Sequence, residues 1–320
     1  MGSKTAVIAI DVGGTGTKGA IVNRDGEILL RVERPTDPSA GTKSILTAVE
    51  ELLQRSDAVD AEVGSVGIGA AGFIDARSGS VTFAPNLVYD DPHVAAAVHA
   101  QVGLPVVVDN DANAAAWGER AFGTAVGSDN VVMLTLGTGI GSGIIVDGRL
   151  VRGHTGAGAE LGHTVVNPDG PLCNCGLRGC LEQFASGQAI ARMGMQAAQE
   201  DPDSSIIAFS GSLDGITAEH VAKAARQLDE PARAVMREAG RYLGIGMSNV
   251  ANLFDPEIIV LTGGVLRAGE PYLGPARDTL AAMTDAQRRR PMRLDKSSLD
   301  RDTGILGAAA LAFDEAKIPE

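Results

Sequence analysis

Three cysteines lie within eight residues, in CNCGLRGC from Cys173 to Cys180, and His163 precedes the first by ten positions. Three thiolates and one imidazole supply the four ligands of a closed tetrahedral zinc site, and Gly176 and Gly179 allow the tight turns that so short a ligand loop requires. An odd cysteine count in a chain read as cytoplasmic does not suit a disulfide framework; the alternative is three reduced structural cysteines. With every coordination position filled by protein, such a zinc orders a loop and does not activate water. His163 closes AELGH, and Glu182 follows Cys180 by two residues, so the metal would set Glu160, His163 and Glu182 beside one another. Taken singly, either glutamate reads as a solvated surface charge. Around a metal-ordered loop they read as acceptors for the hydroxyls of a polyol.

A different chemistry is suggested by DVGGTGTK, residues 11–18, directly after the apolar run AVIAI. Glycine lets the backbone approach an anion closely, so the segment reads either as a phosphate-binding loop or as a plain hairpin turn. It is not a P-loop, because Thr17 precedes Lys18 and no Ser or Thr follows it. Nor is it a dinucleotide fingerprint, since Ala20-Ile21-Val22 and then Asn23-Arg24-Asp25-Gly26 predict a second strand and a turn where a helix would be needed. The same unit returns at residues 131–151, VVMLTLGTGIGSGIIVDGRLV: strand, Gly/Thr turn, strand, Asp-Gly, strand. Unless a Gly-rich hairpin recurs by chance, this internal repeat suggests two lobes facing one nucleotide.

The third candidate is PVVVDNDANAAAWGE, residues 105–119, an apolar strand that delivers Asp109, Asn110 and Asp111 to the start of an Ala-rich helix. Asp111 there is either a helix cap, favoured by the helix dipole, or the carboxylate that accepts a hydroxyl proton in phosphoryl transfer to an alcohol.

The elements that must position these residues alternate along the chain. Strands are predicted near residues 5–10, 19–23, 27–33, 64–69, 105–109, 131–136, 143–147 and 257–262. Helices are predicted near 42–55, 92–102, 112–122, 183–199, 217–228, 231–253 and, Ala-rich, 304–316, with Thr217 as an N-cap and Pro231 at a first helical position. DPDSS at 201–205 reads as a loop. Three meandering strands before the first helix argue for an α/β fold with a mixed sheet. The 320 residues are 44% hydrophobic and 21% charged, enough for two cores, and 27 basic against 40 acidic residues give a net charge of −13. Neither nucleic acid nor an anionic membrane is expected as main partner. There is no run of about 18 apolar residues, and the strand pattern begins directly after Met1-Gly2-Ser3-Lys4, so the expectation is a cytoplasmic protein.

Taken together, these motifs resemble the ROK family of sugar kinases and related repressors, from Ile8 through the GAAALA helix. CNCGLRGCLE matches the family's CxCGxxGCxE at every fixed position, and LGTGIGSG, AELGH, NDANAAAWGE, AAGFID and APNL also match. The resemblance implies an α/β, two-lobed actin/hexokinase-like (ribonuclease H-like) fold with a repeated β-hairpin phosphate unit in each lobe. Residues 1–110 plus 304–320 would form the small domain and 111–303 the large one, with the sugar in the cleft. It further implies that Asp111 is the catalytic base, that Gly72, Asn86, Asn110, Glu160, His163 and Glu182 bind the sugar, and that His163, Cys173, Cys175 and Cys180 hold a structural Zn²⁺. Asp11 would position Mg²⁺ through water. Gly13, Gly14, Thr15, Lys18, Gly137, Thr138 and Gly139 would cradle the phosphates of ATP, and Gly263 and Gly264 would form the nucleoside-binding turn.

The implied activity is ATP-dependent phosphorylation of the 6-hydroxyl of glucose, by a homo-oligomer, dimer or tetramer. Two features depart from the commonest glucokinase pattern: GGTGxKG, seen in polyphosphate-using relatives, and Leu87-Val88-Tyr89-Asp90-Asp91 after Asn86, where relatives often carry a tryptophan. They keep open a polyphosphate donor or a related sugar such as N-acetylmannosamine, mannose or fructose. A sugar-sensing regulator of this family would carry an N-terminal helix-turn-helix domain, for which the strand starting within ten residues leaves no room.

Overall fold

A strand that is apolar at nearly every position needs both faces covered, and β1 (Thr5–Val12) sits in the middle of a five-stranded sheet with Ala6, Ile8, Ala9 and Ile10 inaccessible to solvent. The structure is a computed structural model that describes residues 5–14, 16–59, 61–85, 87–284 and 292–317. β1 continues through β2 (Gly16–Asn23) and β3 (Ile28–Pro35) as an antiparallel meander. Helix α1 (Gly41–Gln54) then leads to β4 (Glu62–Ala70), parallel to β1. A small hairpin, β5 (Phe73–Asp75) and β6 (Ser80–Phe83), precedes α2 (Val94–Val102), β7 (Val106–Asn110), which lies parallel to β4, and α3 (Asp111–Phe122).

The second half repeats the plan with β8 (Val131–Leu136), β9 (Ile140–Val146) and β10 (Arg149–Leu150). There follow α4 (Glu182–Ala185), α5 (Gly187–Glu200), α6 (Ser205–Ser210), α7 (Ala218–Arg226), α8 (Glu230–Phe254), β11 (Ile258–Thr262), α9 (Glu270–Met283), β12 (Arg293–Lys296) and α10 (Thr303–Glu315). The two sheets have strand orders β3-β2-β1-β4-β7 and β10-β9-β8-β11-β12. The repeat seen in the sequence is therefore a repeat of sheet topology, with the Gly-rich segment joining the first two strands each time.

Two compact units result: Met1–Met133 with Gly143–Ala159 and Ser297–Glu320, and Leu134–Ser142 with Glu160–Lys296. These limits differ from the expected division after residue 110, because α3 packs on α10 within the first unit. Its packing is backbone against backbone. A Cβ on Gly307 would fall 2.0 Å from the Ala114 carbonyl oxygen, one on Gly118 2.7 Å from the Gly307 nitrogen, and one on Gly67 of β4 1.9 Å from the Ala308 oxygen. The Ala- and Gly-rich sequences of both helices are thus the condition for their close approach.

Other differences have local causes. The helix expected over 183–199 is broken at Ser186, whose extended backbone ends α4 and whose Oγ accepts the Ala189 N–H to cap α5. DPDSS forms the expected loop as far as Ser204, which caps a short helix, α6, that the sequence pattern did not indicate. Helix α9 escaped notice because Pro275 lies inside it. Thr217 caps α7 as expected, through a capping box with His220, and Pro231 falls one residue later than anticipated, since α8 starts at Glu230 under an Asp229 cap.

Gly307→Ala should lower the unfolding free energy by about 1–3 kcal/mol, an overpacking penalty that outweighs the gain in helix propensity. Urea unfolding would show it, and the stabilisation ordinary for Gly→Ala in a helix would contradict the close approach.

Candidate active site

The triplet Asp109-Asn110-Asp111 leaves β7 and enters α3, and the structure gives each residue a separate task. Asp109 is 2% exposed. It accepts from the Asn113 amide (2.9 Å) and from Arg152 Nε (2.6 Å), and Arg152 also donates to Glu315 (2.6 Å). Asn110, not Asp111, is the N-cap: its Oδ1 accepts from the backbone of Ala112 (2.9 Å) and Asn113 (3.2 Å), while its Nδ2 donates to Gly72 O (3.0 Å). One amide hydrogen of Asn110 is therefore left over for a ligand. Asp111 occupies the first helical position, half-buried, with Oδ1 near the Ala112 N–H (2.9 Å). The cap is supplied by its neighbour, so Asp111 is not required as one, and the helix dipole favours its charged form.

Gly72 contributes backbone only. Its φ is +122°, and a Cβ would lie 2.5 Å from Phe83 O. The preceding residue, Ala71, donates to Val12 O (3.1 Å) at the end of β1 and accepts from the Tyr89 hydroxyl (3.0 Å). Burial and the nearby Asp111 charge push the Tyr89 phenol well above the usual range.

Of the first Gly-rich segment, Asp11 and Lys18 face one another across the β1–β2 ladder. Burial raises the Asp11 carboxyl above its ordinary range and Lys18 opposes this. Gly13 and Gly14 form the turn, closed by Gly13 N–H to Gly16 O at 3.0 Å. Thr15 and Asn86 lie outside the described residues.

In the second segment the Gly137 N–H donates to Gly139 O (3.0 Å), and the Gly137 and Thr138 carbonyls accept from Gly187 (2.8 Å) and Gln188 (3.3 Å) at the start of α5. Gly263 has φ +106°, and a Cβ there would meet Leu136 O at 2.3 Å; Gly264 begins a short 3-10 turn. Gly137, Thr138 and Gly264 line one cavity of about 730 Å³ within the second unit. Gln188, Glu219, Arg226 and Arg267 complete its polar wall. The sequence reading missed these four, which come from separate elements and carry no motif. Arg226 is fixed by donating to Arg267 O at 2.9 Å.

His163, Cys173, Cys175 and Cys180 converge, their ligand atoms all within 4.8 Å of one another. Cys173 Sγ lies 3.7 Å from His163 Nδ1 and Cys175 Sγ 3.6 Å from Cys180 Sγ. A tetrahedron with Zn–S bonds of about 2.3 Å has edges of about 3.8 Å, so the donor set and its spacing fit zinc. Burial and the adjacent thiols push Cys180 up to about 12, a cost that a divalent cation removes. Gly179 has φ +74° and passes so close to Asn167 O that a Cβ would fall 1.5 Å from it. Leu181 N–H to Thr164 O (2.9 Å) and the Val165–Cys180 bridge tie the two ligand segments together.

Beside the cluster stand Glu160, whose carboxyl burial raises with His163 opposing and Glu182 adding, and Glu182, whose Oε2 accepts from Ile140 N–H (3.0 Å). A Cβ on Gly139 would lie 2.2 Å from that oxygen. Glu182 thus spends one carboxylate oxygen on the Gly-rich turn and keeps the other.

Residues 7–315 match the ROK family, and the chain belongs to it. It is 41% identical to a glucokinase of Streptomyces coelicolor over 311 residues, 95% of this chain and 96% of that one. It is 38% identical to a glucokinase of Thermotoga maritima, covering 96% of this chain and 97% of the relative. A crystal structure of a ROK family glucokinase from Streptomyces griseus in complex with glucose and AMPPNP superposes with a TM-score of 0.82 at 41% identity, over 96% of this chain and 99% of that one. The fold is accordingly of the actin/hexokinase-like α/β type. Among the described residues no helix is long and apolar enough to cross a membrane.

Elemental analysis should return one zinc per chain, and Cys175→Ser should lose it together with slow amide exchange in residues 160–186. A zinc-free wild type, or a variant that keeps both properties, would contradict the site.

Proposed function

We propose that this chain is a sugar kinase that transfers the γ-phosphoryl group of ATP to the 6-hydroxyl of glucose. The observation that carries this reading is full-length similarity, at 41% identity, to a glucokinase solved with glucose and AMPPNP. The chemistry of the residues supports it. Asp111 accepts the proton of the attacking hydroxyl, Asn110 offers its remaining amide N–H, and Glu160, His163, Glu182, Gly72 and Asn86 hold the other hydroxyls. Little covalent work is asked of the protein in phosphoryl transfer beyond this proton and the positioning of charge.

The cavity of about 730 Å³ has the size and mixed lining of a nucleotide site. Gly263 and Gly264 bound the nucleoside, and Thr138, Lys18 and the turns at Gly13-Gly14-Thr15 and Gly137–Gly139 hold the phosphates. Asp11 offers a hard oxygen donor suited to Mg²⁺ bound largely through water, and when bound Mg²⁺ supplies charge neutralisation on the phosphates. Zinc at His163, Cys173, Cys175 and Cys180 orders the segment that carries Glu160 and Glu182. The first compact unit, α3 included, serves as the small domain and the second as the large one; the protein works in the cytoplasm, and it assembles as a homo-oligomer, dimer or tetramer.

Initial rates across glucose, mannose, fructose and N-acetylmannosamine, each with ATP or polyphosphate, test the reading. Glucose with ATP should give a kcat/KM at least ten-fold above every other combination. An equal or better rate with another sugar, or no turnover with ATP, would overturn it.

A further inference from the structure

Helix α10 carries two glycines, and they have different reasons. Gly307 is fixed by the backbone of α3. Gly304 instead faces one side chain: outside its own helix, the three atoms nearest to a Cβ there would be Asp11 Oδ2 at 2.5 Å, Cγ at 2.6 Å and Oδ1 at 2.9 Å. Its φ is not in the left-handed region, so the helix itself does not ask for glycine. The carboxylate of Asp11 therefore occupies the volume that a side chain at 304 would fill. Lys18, across the ladder, is the neighbouring cation.

We propose that Gly304 is the seat of the Asp11 carboxylate, a positioning residue that holds this group at the end of β1 by leaving its own side-chain volume empty. The catalytic consequence rests on the kinase reading above; the seat itself does not. An ordinary van der Waals contact needs about 3.4 Å or more, so any side chain at 304 displaces the carboxylate by about 1 Å. A misplacement of that size at a phosphate-aligning group costs up to about 10² in rate.

The experiment compares Asp11→Asn, Asp11→Ala, Gly304→Ala and the Asp11→Ala/Gly304→Ala pair for melting temperature without ligands, glucose Kd by calorimetry, and kcat with ATP. Gly304→Ala should reduce kcat at least ten-fold with glucose Kd within three-fold. It should lower Tm in the parent but raise it in the Asp11→Ala background, where the collision is gone. The same Tm decrement in both backgrounds would overturn the seat, and wild-type kcat in a folded Gly304→Ala beside an impaired Asp11→Asn would overturn its catalytic consequence. Normal turnover by Asp11→Asn would instead remove Asp11 from the kinase reading, and the Tm comparison would still decide on the seat.

Discussion

The first turn of a helix presents amide groups with no partner inside the helix, and at α3 the side chain of Asn110 takes two of them. Much of the candidate site depends on that bond. Because Asn110 is the cap, Asp111 is not needed as one. Asp109 is anchored in the opposite direction, buried against Arg152, with Glu315 completing the pair of charges around the guanidinium. A buried carboxylate without such a partner would be severely destabilising. Three consecutive polar residues at a strand end are thus divided into a buried anchor, a cap and one half-buried carboxylate that does neither task.

The anchoring extends to the neighbouring strands. Asn110 holds Gly72 O, Tyr89 holds Ala71 O, and Ala71 N–H holds Val12 O. Through this one turn the ends of β1, β4 and β7 are tied, so the segments that carry Asp11 and Asp111 are fixed relative to each other. Gly118 and Gly307 let α3 and α10 approach until backbones touch, and Gly67 does the same for β4 and α10. That same approach brings the first turn of α10 onto Asp11. Close packing of small residues and the placement of the Asp11 carboxylate are in this unit one arrangement.

The sequence disclosed what is local. The cysteine spacing foretold the ligand cluster, the Gly/Thr turns foretold two hairpins of one plan, and the apolar run AVIAI foretold a buried central strand. Tertiary features were not legible. Nothing in GRLVRG marks Arg152 as the partner of Asp109, and no rule chooses between Asn110 and Asp111 as a cap, since both types cap well. The polar wall of the large cavity comes from Gln188, Glu219, Arg226 and Arg267, which only folding brings together. The limits of the compact units were not legible for a related reason: the pairing of α3 with α10 is written in alanines and glycines, which read equally well as plain helix formers.

The central claim is the division of labour at the start of α3, and kcat of Asp111→Asn, per folded enzyme at saturating glucose and ATP, tests it most directly. The substitution keeps size and leaves the Asn110 cap in place. The account predicts an unfolding free energy within about 0.5 kcal/mol of the parent and a kcat lower by about 10² to 10⁴. Turnover within a few-fold of the parent would contradict it and return Asp111 to a structural role.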